Sequence, residues 1–190
     1  MKVLPIGVQD FFQIRQDDLL YVDKTAKLLQ LIQNGRRYFL SRPRRFGKSL
    51  TLSTLEAMFK GEFELFKELK AEEWVKKQAE KSFSVLKLDM SGLRRYRNAE
   101  ELNISIIRYL EEIAFDNKLN IIHEDNCDGI LRQIIRTLYN EHDFVVILID
   151  EYDKPILDIT SAIKNVNNDF HEIDHQIARN AAELKLSYLL

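Results

Sequence analysis

Along its first 156 residues the chain alternates between helical and strand periods in its hydrophobic positions. From Lys24 to Gln33, Leu28, Leu29, Leu31 and Ile32 recur as on a short helix, which Asn34-Gly35 closes. Arg37 to Leu40 reads as a short apolar strand leading to Ser41, and Arg42 to Phe46 as a loop containing Pro43. From Gly47 the pattern turns helical: Leu50, Leu52, Leu55, Met58 and Phe59 recur at helical spacing until Gly61 ends the run. Glu62 to Lys81 reads as a highly charged, amphipathic helical excursion. Phe83 to Leu88 alternates apolar and polar residues with aromatic and β-branched content, the signature of a strand. Two amphipathic helices follow, Asn98 to Asn117 and Cys127 to Asn140; the second sets Ile130, Leu131, Ile134, Ile135 and Leu138 on one face. Phe144 to Ile149 is wholly apolar, as expected of a strand buried on both faces of a helix-covered parallel sheet.

Strands interleaved with helices of this length predict right-handed crossovers and an α/β fold. The 190 residues suit one domain spanning 1–190, and with 6 Gly and 3 Pro there is no linker, repeat or low-complexity segment to divide it. Charged residues make up 31% of the chain but nearly cancel, leaving a net charge of -2. That balance removes any global argument for nucleic-acid or membrane-surface binding and leaves only local basic patches. No apolar run reaches the length of a membrane span and the N-terminus carries no signal-peptide pattern, so a soluble cytoplasmic protein is expected. Cys127, the only cysteine, has no partner for an internal disulfide; without ligand-spaced neighbours it reads as a small buried residue rather than a nucleophile or metal ligand.

The stretch Arg37 to Leu55 is a strand, a tight loop and a helix opening on Gly47-Lys48-Ser49. Such a helix start aims unpaired N–H groups and a partial positive charge at a bound anion. Gly47 admits phosphate oxygens close to the backbone, Lys48 can reach the β- and γ-phosphates, and the Ser49 hydroxyl can ligate Mg²⁺. The candidate nucleotide-binding residues are therefore Arg42, Pro43, Arg44, Arg45, Phe46, Gly47, Lys48, Ser49 and Leu50. A bare Gly-Lys-Ser/Thr triplet recurs by chance in roughly one chain in ten of this length, so the strand before it and the helix after it carry the argument. Arg42 occupies the position where the G-x-x-x-x-G-K-[ST] pattern has its first glycine. Arg42, Arg44 and Arg45 read either as a solvated basic turn or as guanidinium groups that hold phosphate.

The second half of the candidate site is Val145 to Pro155, an apolar strand ending in Asp150-Glu151. Strand carboxyl ends are where open α/β sheets bind ligands. Asp150 is the candidate Mg²⁺ ligand and Glu151 the candidate catalytic carboxylate that orients or deprotonates an attacking water. The plain alternative is that strand ends carry acids because loops are polar.

Five stretches carry a family resemblance: Pro5 to Phe11, Tyr21 to Thr25, Phe39 to Phe59, Val85 to Ser91 and Ile147 to Ile156. They resemble the AAA-ATPase-like family of predicted bacterial ATPases, whose larger members often carry a PD-(D/E)XK nuclease-like domain at the C-terminus. In that family an Arg at the first glycine position is usual. The resemblance implies an AAA-type P-loop NTPase core using ATP and Mg²⁺, with Lys48 and Ser49 on phosphates and metal, Asp150 on the metal and Glu151 activating water. It also implies a further core strand, between the loop strand and the Asp-Glu strand, ending in a polar sensor residue. Tyr21, Asp23, Lys24 and Thr25 match a family motif without chemistry of their own, and Asp23 and Thr25 read as helix caps rather than nucleotide contacts.

After Ile156 the resemblance fades into a polar, helical tail, residues 157–190. His171 and His175 sit at helical spacing there but lack a third ligand, so an exposed face outweighs a metal site. Leu184 to Leu190 is long enough for one strand and carries no sensor motif. A parallel sheet lacking a central strand exposes backbone donors and acceptors. The tail, a second copy or a protein partner would then complete it, or the chain is a truncated member of the family. Three functions compete: an ATP-Mg²⁺-binding domain with weak hydrolysis acting as a regulatory or mechanical module, a non-catalytic remnant serving as an interaction domain, and a nucleic-acid-binding module. The last would rest on Arg36, Arg37, Arg42, Arg44 and Arg45 with Arg94, Arg95 and Arg97, and no aromatic stacking platform accompanies them.

Overall fold

A computed structural model describes residues 2–35, 37–40, 46–81, 83–93, 96–142 and 144–166, with residues 161–166 described by backbone alone. Seven helices and two strands are described: α1 (Phe11–Gln16), α2 (Thr25–Asn34), α3 (Lys48–Phe59), α4 (Glu72–Gln78), β1 (Phe83–Asp89), α5 (Ala99–Asp116), α6 (Cys127–Glu141), β2 (Phe144–Asp150) and α7 (Lys154–Val166). Short 3₁₀ turns lie at Phe63–Phe66 and Met90–Gly92. β1 and β2 pair in a small parallel sheet, making the chain a mixed α/β protein. The described residues form two compact units, one holding those up to Leu88 with Ile135–Asp150, the other those of Asp89–Ile134 with Glu151–Val166.

The core of the first unit gathers Phe11, Leu28, Leu55, Met58, Phe66, Val75 and Leu148. Phe11 is completely buried, with Tyr21 edge-on at 5.0 Å between ring centres and Phe66 tilted against it at 4.8 Å. α3 is covered on two faces. Leu55 and Met58 enter the core, while buried Ser53 and Thr54 face the N-terminal segment. Both hydroxyls bond back to the Leu50 carbonyl, at 3.1 and 2.7 Å, and Ser53 Oγ also accepts the Phe11 N–H at 3.0 Å. Burial pushes the Tyr21 phenol up, against a hydrogen bond with Thr54 that pulls it down.

The Tyr21–Thr25 motif is a fastening. One Asp23 carboxylate oxygen accepts from the Thr25 N–H and hydroxyl at 2.8 and 2.7 Å; the other accepts from the Lys70 N–H at 2.9 Å. Fully buried Thr25 accepts the Ala71 N–H at 3.1 Å. The cap position of α2 is Lys24, with no side-chain cap bond among the described residues, so Asp23 and Thr25 do not cap the helix as expected: Asp23 closes a turn onto its first residue, and both hold the approach to α4. Arg15 ties the same region down through the Leu65 and Lys67 carbonyls, at 2.7 and 2.9 Å.

Gly61 ends α3 as expected, and the geometry says why it must be glycine. Its φ is +68°, its N–H bonds to the Met58 carbonyl, and the Glu62 N–H bonds back to Ala57, a Schellman closure. A Cβ there would stand 2.6 Å from the Ala79 Cα.

In the second unit α5 starts where expected. Asn98 accepts the Glu101 N–H, and the Glu101 carboxylate accepts the Arg97 N–H, both at 2.8 Å. Asn103 on α5 holds the α6 start, donating to the Asp125 carbonyl at 2.9 Å and accepting the Cys127 N–H at 3.2 Å. Ile107, Leu110 and Ala114 of α5 are buried, as are Cys127 and Ile130 of α6.

Three further sequence expectations need correction. Residues 37–40 form no regular strand. A strand exists by pairing, and β1 and β2 pair only with each other among the described residues. Glu62 to Lys81 is not one helix: Glu68 takes a positive φ of 66°, which splits it into a 3₁₀ turn and the short α4. β2 is not buried on both faces. Leu148 packs into the core with Leu55 and Met58, whereas Ile147 and Ile149, pointing the other way, are 41% and 43% exposed. The expectations for Leu184–Leu190, His171 and His175 fall outside the described residues.

Two measurements test these contacts. Gly61→Ala should lower unfolding free energy by about 1–2 kcal/mol for the left-handed backbone alone, read by urea denaturation, with the approach to Ala79 adding to it. Asp23 lies below the usual carboxylate range: burial works to raise it, but the Thr25 and Lys70 hydrogen bonds outweigh that. A lowered folded value means stabilisation present above the ordinary value of 3.8 and lost as pH falls through the folded one. Asp23→Asn should therefore weaken the protein most near neutrality, and its deficit against the parent should shrink in acid.

Candidate functional site

Gly47 immediately precedes α3 with φ +73°, a left-handed conformation that glycine adopts without strain. Among the described residues nothing lies within 4 Å of where its Cβ would be. None of the described side chains caps α3, whose first turn comprises Lys48, Ser49 and Leu50. The Gly47 carbonyl is engaged by the Thr51 N–H at 3.0 Å and the Thr51 hydroxyl at 2.8 Å, which fixes the loop-to-helix junction.

Asp150 closes β2. Its side chain is 8% exposed and that of Lys48 22%, and the Lys48 ammonium stands 3.2 Å from its Oδ1. Residues roughly a hundred positions apart in sequence thus meet as an ion pair within the first unit. Packing of α3 on β2 brings them together, since Leu55 and Met58 on the helix and Leu148 on the strand share one core. Shielded from water, opposite charges at this distance attract more strongly than on an open surface.

Glu151 is half-buried and begins the second unit, with φ +50°. Its carbonyl accepts the Lys154 N–H at 3.0 Å, closing the turn into α7. Phe46 is exposed. Arg42, Pro43, Arg44 and Arg45 lie outside the described residues. Of the predicted set, then, Lys48 and Asp150 are seen together, with Gly47, Ser49 and Leu50 contiguous to Lys48.

Sequence reading overlooked Glu56, two helical turns beyond Lys48. It pairs with Lys60 at 2.7 Å and with Lys87 of β1 at 2.8 Å. Burial works to raise its carboxyl, but the two ammonium groups hold it below its ordinary value. The Glu56–Lys60 spacing was legible as a helical pair; Lys87 was not, because only sheet packing brings β1 beside α3.

Chemically, a helix start of amides with an ammonium suits an anion, and a shielded carboxylate beside it suits a cation. Fold and junction together define a mixed α/β protein whose helix-start lysine is paired to a strand-end aspartate. The chain belongs to the AAA-ATPase-like family, described as predicted AAA-ATPases, whose sequence pattern matches residues 5–180. An Azotobacter chroococcum mcd 1 protein, described as an uncharacterized protein in the vnfD 5' region, is 40% identical over 161 residues. The match covers 83% of this chain and 30% of that protein, so the chain spans under a third of the relative's length. No solved structure matches. None of the described helices is long and apolar enough to cross a membrane.

A double-mutant cycle checks the ion pair. Lys48→Ala and Asp150→Ala should each destabilise the protein, and the double variant should be more stable than the sum of the two predicts. The coupling should be about 1 kcal/mol or more at low salt.

Proposed function

We propose that this chain binds ATP with Mg²⁺, hydrolyses it slowly, and works as a nucleotide-dependent regulatory or mechanical module. The observation that carries the reading is the 3.2 Å approach of Lys48 to Asp150, a cation from a helix start meeting an acid from a strand end. The donor set fits the ligand: first-turn amides and an ammonium for phosphate oxygens, a hydroxyl and a shielded carboxylate for the metal. Among the described residues no group of three or more His, Cys, Asp or Glu could hold a metal by itself, so phosphate oxygens would complete the shell.

In this reading Lys48 and the amides of Gly47, Lys48 and Ser49 neutralise and orient the phosphates. Ser49 and Asp150 would hold the metal. Bound Mg²⁺ supplies charge neutralisation between the phosphates. Glu151, one residue past the metal ligand, orients the attacking water and takes its proton. Arg42, Arg44 and Arg45 add positive charge to the same loop in sequence.

The test compares three proteins. The parent should gain thermal stability from ATP-Mg²⁺, more than from ATP with chelator. Lys48→Ala, measured against its own ligand-free baseline, should gain none. Glu151→Gln should keep the stabilisation and lose phosphate release by 100-fold or so. No ATP-Mg²⁺ shift in the parent would overturn the reading in favour of a non-catalytic interaction domain.

A further inference from the structure

The structure assigns Tyr96 a positioning role: through Asp158 and Lys154 it holds the turn that presents Glu151. This rests on the reading of Glu151 as the water-activating carboxylate. All four residues belong to the second unit.

The need for a holder is visible in the backbone. Glu151 sits at φ +50°, a left-handed conformation that disfavours a residue with a Cβ. Such conformations persist where their surroundings over-determine them. Here the Lys154 N–H bonds to the Glu151 carbonyl at 3.0 Å, and α7 begins at that same Lys154, with Pro155 buried behind it. The turn is thus only as firm as the first turn of α7.

That first turn is anchored from outside the helix. The Lys154 ammonium pairs with the Asp158 carboxylate one turn further along. The same carboxylate oxygen, Oδ2, accepts the Tyr96 hydroxyl at 3.0 Å, across 62 positions of sequence. α7 also packs against the Met90–Gly92 turn, a few residues before Tyr96. Tyr96 is 7% exposed, whereas the Lys154 and Asp158 side chains are 37% and 41% exposed. The Lys154–Asp158 pair on its own is an ordinary helical surface pair of small value. The buried phenol makes it a fixed point. Burial first, and then the hydrogen bond to Asp158 and its charge, raise the phenol's pKa well above its ordinary value, so the hydroxyl keeps its proton and remains a donor near neutral pH.

Tyr96→Phe keeps the buried ring and removes only the donor. Two readouts are taken: ATP-Mg²⁺ hydrolysis, and amide hydrogen exchange over residues 151–158. Exchange at Lys154 and its neighbours should quicken about tenfold, with exchange in α3 and β1 unchanged. The kcat should fall by roughly five- to twentyfold, with KM and the ATP-induced thermal shift within twofold of the parent. Asp158→Asn, which keeps an acceptor for the phenol but loses the charge on Lys154, should lie between the two. It also serves as the test protein should Tyr96→Phe not fold. Unchanged exchange over 151–158 overturns the assignment. So does quickened exchange with parental kcat, provided Glu151→Gln is inactive. A Glu151→Gln protein that turns over like the parent overturns the proposed function instead, and the exchange result then decides by itself whether Tyr96 fixes the turn.

Discussion

A shielded carboxylate must have a counter-charge, and in the first unit Asp150 finds one in Lys48. Burying either charge alone would cost several kcal/mol, so each makes the other's position tolerable. The pair also sets the geometry around it. β2 must end where α3 begins, which requires the helix to lie along the strand, which in turn requires Leu55, Met58 and Leu148 to share a core. Gly47, in a left-handed conformation, turns the chain into the helix that starts beside the acid.

The N-terminal segment stabilises that arrangement from behind. Phe11, Tyr21 and Phe66 form an aromatic cluster under α3, and Ser53 and Thr54 turn the helix's polar face into a socket for the Phe11 N–H and the Tyr21 phenol. Asp23 and Thr25 then lock the Lys70–Ala71 backbone to the same layer. A motif with no chemistry of its own proves to be a clamp, in which Asp23 and Thr25 pair the backbone N–H groups of Thr25, Lys70 and Ala71.

Local signals gave the helices well. α2, α3, α5 and α6 fall within a residue or two of the spans expected from periodicity, and Asn98 and Gly61 start and stop helices through hydrogen bonds visible as residue types. The failures share a cause. Residues 37–40 are apolar enough for a strand, yet a strand is defined by a neighbour, and no window of sequence contains that neighbour. The apolar run of β2 predicts cover on both faces because composition reports hydrophobicity and not what packs on it; Ile147 and Ile149 stand exposed.

By itself, the sequence determined the candidate chemistry: Gly47-Lys48-Ser49 at a helix start and Asp150-Glu151 at a strand end are residue types in a fixed order along the chain. It determined the limits of α2, α3, α5 and α6 too, since caps and periodicity act over a few residues. Tertiary structure decided which of these groups meet. The 3.2 Å pairing of Lys48 with Asp150, the reach of Lys87 to Glu56 and the bond from Tyr96 to Asp158 all join residues distant along the chain. Contacts of that kind arise from packing one element on another, and their energy depends on burial that no local pattern records.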